Sequence, residues 1–123
     1  MPWNFDNSIP IYLQIIQEMK RRIIRKELIP GERLASVRDL AKEAGVNPNT
    51  MQKALSELEA EGLLETERTT GRFITSDQNL IASLREAYLK ERLQPFLAEL
   101  QSLGLSEEEL TTLIRSQYKE ATK

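Results

Sequence analysis

A helix stop and a helix start lie close together in the first half of the chain, and this feature restricts the possible folds more than any other. The run Ser36-Val37-Arg38-Asp39 has the pattern of an N-capped helix start, and Gly45 ends that helix because glycine tolerates positive φ. Asn47 and Pro48 then begin another helix, since asparagine caps well and proline needs no N–H at the first helical position. Only residues 45–47 separate the two helices. This spacing predicts a helix-turn-helix.

The elements on either side of this motif complete a recognisable order. Helical spacing of apolar residues predicts a first helix over Pro10–Lys26. After the motif, two short runs at 63–68 and 72–75 have the composition of β-strands, and Thr69-Thr70-Gly71 joins them as a hairpin turn. Three helices followed by a two-stranded hairpin is the order of a winged helix-turn-helix. We therefore expect a mainly α fold with a winged helix-turn-helix domain over residues 1–76.

The remaining residues, 77–123, have the apolar spacing of two further helices. The first spans Asp77–Leu103, with Pro95 expected to kink it, and a capping box at Ser106 starts the second. Two such helices expose apolar stripes that one hairpin cannot bury, so a second copy of the chain is expected to cover them. The alternative is that they pack against the chain's own first domain. The residues predicted to dimerise are Leu84, Tyr88, Leu93, Phe96, Leu100, Leu110, Leu113 and Ile114.

Cysteine and histidine are both absent from the 123 residues. This excludes disulfides, thiolate nucleophiles, histidine general bases and the common zinc ligand sets. No acidic pair stands in a context suited to magnesium, and Glu57, Glu59 and Glu61 are interpreted as facing solvent. We therefore expect no enzyme activity, no bound metal and no cofactor.

The longest apolar run is only a few residues, which excludes a membrane-spanning helix and a membrane partner. The segment Met1–Asn7 also lacks the basic and apolar regions of a secretory signal. The expected location is the cytoplasm.

Charge is distributed unevenly, although the formal net charge is only −2. Residues 20–53 hold nine basic and four acidic residues, whereas residues 77–123 hold six basic and eight acidic ones. A basic block in an acidic chain indicates an anionic partner such as nucleic acid. The alternative is an ordinary solvated helix face, which is favoured for most of the basic residues at 20–26.

The predicted helix that begins at Pro48 carries the side chains suited to reading a DNA major groove, because Asn and Gln can pair with adenine and Lys with guanine or phosphate. Arg38 can reach the backbone or a base beside the groove, and the hairpin arginines can reach the minor groove or its phosphates. Asn47 is also explained as a helix cap, and Arg38 as the partner of a surface carboxylate. The predicted DNA-binding residues are Arg38, Asn47, Asn49, Thr50, Gln52, Lys53, Arg68, Gly71 and Arg72.

Five runs of sequence at fixed spacings closely resemble the GntR family of bacterial transcription regulators, and the short tail resembles its YtrA-like subfamily. These runs are Pro10–Ile15, Pro30–Ala41, Val46–Thr50, Leu58–Leu64 and Gly71–Ile74. The resemblance implies a winged-helix domain, a homodimer on an operator with two-fold related halves, and usually repression of nearby genes. It also implies DNA contact by Arg38 and by the helix residues from Asn49 to Lys53, with Gly71 as the wing glycine.

Other functions remain as alternatives to a sequence-specific regulator. A winged helix can serve as a protein-interaction module or bind DNA non-specifically, and a magnesium-dependent nuclease or a replication factor would need clustered carboxylates beside the basic face. A small-molecule effector is possible, but a drug-sized pocket would have to lie between subunits. The larger GntR branches carry a metabolite-binding domain for which residues 77–123 are too short.

Overall fold

The computed structural model describes residues 3–122. Helices and strands follow in the order α1 (Ile11–Ile24), α2 (Val37–Ala44), α3 (Pro48–Ala60), β1 (Leu64–Glu67), β2 (Gly71–Ile74), α4 (Gln78–Ser102) and α5 (Glu107–Ala121). The fold is mainly α with one small two-stranded sheet, which confirms the expected winged helix-turn-helix. Residues up to Arg85 form one compact unit, and those from Glu86 onwards form a second.

Local hydrogen bonds fix both ends of the helix-turn-helix. The Ser36 hydroxyl accepts a hydrogen bond from the Asp39 amide at 3.1 Å, which satisfies one of the free amides at the start of α2. Gly45 ends α2 in the left-handed region at φ 73°, where a side chain would be strained. The Asn47 carboxamide oxygen then accepts from the Asn49 amide at 2.8 Å and starts α3 at Pro48. The bounds expected for α2 and the start of α3 are confirmed.

Apolar side chains from α1, α2, α3 and the hairpin form one core in the first unit. Both α1 and α3 turn an apolar stripe inward, so the opposite, polar side of α3 faces solvent. The core lies directly under the helix that the sequence predicts to read DNA, and it fixes that helix against the rest of the unit. Its fully buried members include Ile15, Met19, Ile23, Met51, Leu55, Leu58, Leu63, Leu64 and Ile74.

The segment before α2 pairs with the outer edge of the hairpin through an isolated bridge. Arg33 forms an antiparallel bridge with Phe73, and the Leu34 amide donates to the Arg72 carbonyl at 2.8 Å. The Gly31 amide donates to the Ile74 carbonyl at 2.9 Å, and the Ile74 amide donates to the Glu32 carbonyl at 2.9 Å. These bonds cover the outer edge of β2 and place residues 31–34 beside the wing, which we define as residues 64–74.

The second unit contains α4 from Glu86 onwards and all of α5. The helix α4 continues through Pro95, although proline lacks the amide hydrogen that the helix would use there. A full capping box formed by Ser106 and Glu109 starts α5, as the sequence predicts. No side chain between residues 86 and 122 is buried. Within residues 3–122, none of the helices has both the length and the apolar character needed to cross a membrane.

Candidate nucleic-acid interface

The first turns of α3 present a polar face to solvent. Asn49 and Gln52 are exposed and Thr50 is half-buried, whereas Met51 and Leu55 on the opposite side are fully buried. The side chains of Asn49 and Thr50 have no hydrogen-bond partner within residues 3–122. These side chains and the amides at the start of the helix are therefore available to bases or phosphates.

Two other predicted residues of α3 make contacts within the protein. The Gln52 side-chain amide donates to the Ser56 hydroxyl at 3.0 Å, which holds the carboxamide along the helix surface. The Lys53 ammonium lies 3.9 Å from the centre of the Tyr12 ring, which orients it toward α1 through a cation–π interaction. A ligand that bound either side chain would have to break its contact within the protein or tolerate it.

Asn47 acts as the N-cap of α3 in this structure, because its carboxamide oxygen accepts from the Asn49 amide. A residue that only caps can be exchanged for another capping residue without loss, whereas a base-reading carboxamide cannot. The contrast between serine and alanine at position 47 therefore separates the two roles.

We expect Asn47→Ala to lower the free energy of unfolding by about 1 kcal/mol, because an amide of α3 loses its acceptor. We expect Asn47→Ser to keep both the stability and the affinity for specific DNA, because serine caps about as well as asparagine. Urea unfolding and fluorescence anisotropy with a labelled duplex measure the two effects. A loss of specific DNA binding in Asn47→Ser, with stability unchanged, would show that Asn47 reads a base.

An open groove of about 880 Å³ lies between the start of α2 and the wing. We call it the wing groove, and its lining residues are Arg33, Leu34, Ala35, Ser36, Val37, Asp39, Thr66, Glu67, Arg68, Thr69, Thr70, Gly71 and Arg72. Gly71 adopts φ 108°, and a Cβ placed there would lie 3.4 Å from the Arg33 Nε atom. The Arg33 guanidinium therefore lies beside the wing glycine, and the φ of 108° rather than a lack of space favours glycine at this position.

Arg72 is held inside the protein rather than free in the groove. Its Nε atom donates to the Glu59 carboxylate at 3.3 Å, and its side chain is only 19% exposed. The Thr66 hydroxyl donates to the same carboxylate oxygen. The hydrogen bond from Thr66 holds the pKa of the Glu59 carboxyl below its usual value; burial opposes this, and the Arg72 guanidinium adds to the lowering. Glu59, interpreted from sequence as merely facing solvent, thus ties α3 to both strands of the wing.

Arg33, Arg38 and Arg68 are the free cations of this region. All three side chains are exposed, and within residues 3–122 no carboxylate lies within 4.0 Å of their guanidinium nitrogens. Arg38 stands in the first turn of α2, and Arg68 follows β1 at the tip of the wing. Arg33 is the residue that the sequence interpretation missed. The sequence analysis includes Arg33 only among the basic residues at 20–53, because no pattern in the neighbouring residues indicates that this segment pairs with β2.

Most of the basic block on α1 is paired internally. Arg22 donates to Glu18 at 3.0 Å and lies 4.3 Å from the centre of the Trp3 ring, and Arg21 donates to the same carboxylate at 2.9 Å. Lys20 pairs with Glu61 at 3.0 Å. These cations stabilise α1 and the segment before it. The side chains of Lys20 and Arg22 are only 17% and 11% exposed, so they are not part of the solvated face that the sequence favours for most of this block.

Apolar side chains of the second unit remain uncovered. Leu93 and Phe96 on α4 are 46% and 52% exposed, and Leu113 and Ile114 on α5 are 47% and 49% exposed. Leu100, Leu110 and Tyr88 are half-buried. Leu84 differs from the other predicted dimerisation residues, because it packs against the core of the first unit.

Tyr118, which the sequence pattern places on the inward face of α5, is 70% exposed.

Within residues 3–122, no group of three or more acidic side chains is arranged as a metal site would require.

The sequence resembles known bacterial regulators over most of its length. The family described as bacterial regulatory proteins, gntR family, matches residues 11–74. The chain is 41% identical over 112 residues to the HTH-type transcriptional regulator YhcF of Bacillus subtilis, which covers 91% of this chain and 93% of YhcF. It is 37% identical over 110 residues to the HTH-type transcriptional repressor YtrA of the same organism, covering 89% of this chain and 85% of YtrA.

The fold of this chain also resembles those of solved transcription regulators. A GntR family transcriptional regulator from Listeria monocytogenes matches with a TM-score of 0.84 at 35% identity, covering 91% of this chain and 98% of that one. The DNA-binding domain of AraR, solved in complex with operator ORR3, matches with a TM-score of 0.53 at 25% identity. That match covers 61% of this chain and 90% of the AraR domain.

Proposed function

Because the chain belongs to the GntR family of transcriptional regulators and carries its DNA-binding domain, we propose that it is a repressor that binds a palindromic operator as a homodimer. We assign sequence-specific DNA binding to residues 1–76 and dimerisation to residues 77–123. The relatives are regulators rather than enzymes, and this protein is likewise proposed to act by binding alone. Its place of action is then the cytoplasm, where the chromosome of a bacterium lies.

The observation that carries this proposal is the solvent-facing start of α3 beside an unpaired arginine. Asn49 and Thr50 offer donors and acceptors at the end of a helix that fits the major groove, and Arg38 offers a fork of N–H groups at the neighbouring helix start. AraR, whose DNA-binding domain has the same fold, was solved on its operator. In the general docking geometry of a helix-turn-helix, α3 would enter the major groove, and Arg38 would contact a base or a phosphate at its edge.

The second unit supports the proposed homodimer. A pair of helices without a buried side chain has no core of its own, and its exposed leucine, isoleucine and phenylalanine side chains gain most by packing against an identical surface. A two-fold dimer presents two recognition helices to successive major grooves, about 34 Å apart or a multiple of that distance. Repression follows from occupancy, because the bound dimer excludes polymerase. An effector would act by changing the angle between the subunits.

Selection of bound sequences from a random duplex pool tests this function directly. We expect an inverted repeat whose half-sites are separated by about one or two helical turns, bound at a ratio of one dimer per duplex. A parallel gel shift with and without magnesium separates the alternatives, because a nuclease would cleave the duplex. Binding that depends only on salt, with no enriched sequence, would overturn the proposal in favour of non-specific DNA binding. No binding at all would favour a protein-interaction module.

A further inference from the structure

Arg33 lines the wing groove although it lies outside the hairpin in the sequence. It precedes α2, but its bridge to Phe73 places its backbone at the edge of the wing sheet. Its guanidinium lies against Gly71, with Nε 3.4 Å and Nη2 3.6 Å from the position that a Cβ would take. Because the backbone forms the bridge, the charged end of the side chain is free to bind something else.

The chemistry of the wing groove suits a phosphodiester better than an apolar ligand. Hydroxyls from Ser36, Thr69 and Thr70 and the two unpaired arginines, Arg33 and Arg68, line it. Asp39 and Glu67 also line the groove, yet neither lies within 4.0 Å of an arginine nitrogen there. Free guanidinium groups near hydroxyl donors are the usual partners of DNA phosphates. The groove runs from the start of α2 to the wing. If α3 occupies the major groove as proposed, a DNA backbone that passed between these two elements would lie in it.

The environment of Arg72 differs from that of Arg33 and Arg68, although its position in β2 makes it a natural candidate for contacting DNA. Arg72 is mostly buried, and it is bound to Glu59, which also accepts from Thr66. A phosphate would have to compete with that carboxylate at a contact of 3.3 Å. The cluster joins α3 to β1 and β2, so it fixes the wing relative to the recognition helix.

We propose that the wing groove holds the sugar–phosphate backbone of one DNA strand, that Arg33 is the cation that anchors it, and that Arg72 is a positioning residue that orients the wing. The inference rests on the proposed function and deepens it. It assigns a DNA contact to a residue outside both the helix-turn-helix and the hairpin, and it withdraws direct contact from Arg72.

The salt dependence of operator binding tests these roles, because removing a phosphate-binding cation changes the slope of log affinity against log salt. We expect Arg33→Gln to reduce that slope by about 1.8 in the dimer, which is about 0.9 for each phosphate that is no longer neutralised. Arg33→Lys keeps the charge and should keep the slope. Arg72→Gln should weaken binding at every salt concentration and leave the slope unchanged, because the ion pair it removes is with Glu59. Arg25→Gln is the matched control, since Arg25 is exposed and does not line the groove.

Each other result contradicts the inference in a distinct way. An unchanged slope in Arg33→Gln, or a reduced slope in Arg72→Gln, would overturn the assigned roles while the wild-type chain still binds its operator. An equal reduction in Arg33→Gln and Arg25→Gln would show a general effect of net charge and no local contact. If the wild-type chain selects no operator, the proposed function fails first and the inference fails with it. Circular dichroism of each variant confirms that the fold is kept.

Discussion

Replacement of Arg38 by alanine is expected to remove sequence-specific DNA binding while the chain stays folded. Arg38 is exposed in the first turn of α2 and has no ion pair within residues 3–122, so its removal leaves no buried partner behind. A bidentate arginine contact to guanine is worth about 1–3 kcal/mol. Since the proposed dimer would make this contact twice, operator binding should weaken by about 2–6 kcal/mol, or roughly 30-fold at the least. Fluorescence anisotropy with the selected operator and a scrambled duplex measures the change in affinity.

Two further variants give this prediction its controls. Arg38→Lys keeps the charge but not the planar fork, so it should retain binding to the scrambled duplex and lose most of the preference for the operator. Lys42→Ala removes a charge from the last turn of the same helix and should change operator affinity little. If Arg38→Ala binds the operator as tightly as the wild type does, Arg38 is a surface residue and the recognition face must be sought elsewhere.

Local signals in the sequence were sufficient to predict the helix-turn-helix. Caps, glycine stops and the proline at the start of α3 each act within a few residues, so the pattern alone places them. The predicted α2 has the bounds that the structure shows, Val37–Ala44, and Ser106 begins α5 with the full capping box. The hairpin is also where the sequence predicts it, although β1 is two residues shorter than expected and β2 begins and ends one residue earlier.

Contacts between distant parts of the chain could not be predicted in this way. The bridge between Arg33 and Phe73 depends on the register of a strand pair that no turn connects, and the bond between Arg72 and Glu59 depends on how the wing packs against α3. The position of Lys53 over Tyr12 depends likewise on the packing of α1 against α3. Residue type and helical spacing identify which side chains are polar and outward. They do not show which of these are already bound to one another, and that decides which cations are free for DNA.

The uncovered face of the second unit leads to the other large expected effect. An isolated apolar side chain on a surface is ordinary, but seven large ones are exposed between residues 86 and 122, where no side chain is buried. A surface of this kind indicates an interaction site. In the proposed homodimer a second copy covers that surface, and because two linked winged helices bind more tightly than one, this covering would also determine how tightly the operator is held.

A carboxylate placed in this face should therefore separate the subunits and weaken operator binding together. We expect the double variant Leu93→Glu, Phe96→Glu to be monomeric in analytical ultracentrifugation, since dimerisation would bury four uncompensated charges. Without the linked second half-site, operator affinity should fall by about 10²–10⁴-fold, while weak binding to a single half-site persists. Gln94→Glu adds a carboxylate to the same turn of α4 at a polar position and should leave the dimer intact. A double variant that stays dimeric with full affinity would show that the subunits meet through another surface, whereas a monomer with full affinity would show that one winged helix is sufficient for the operator.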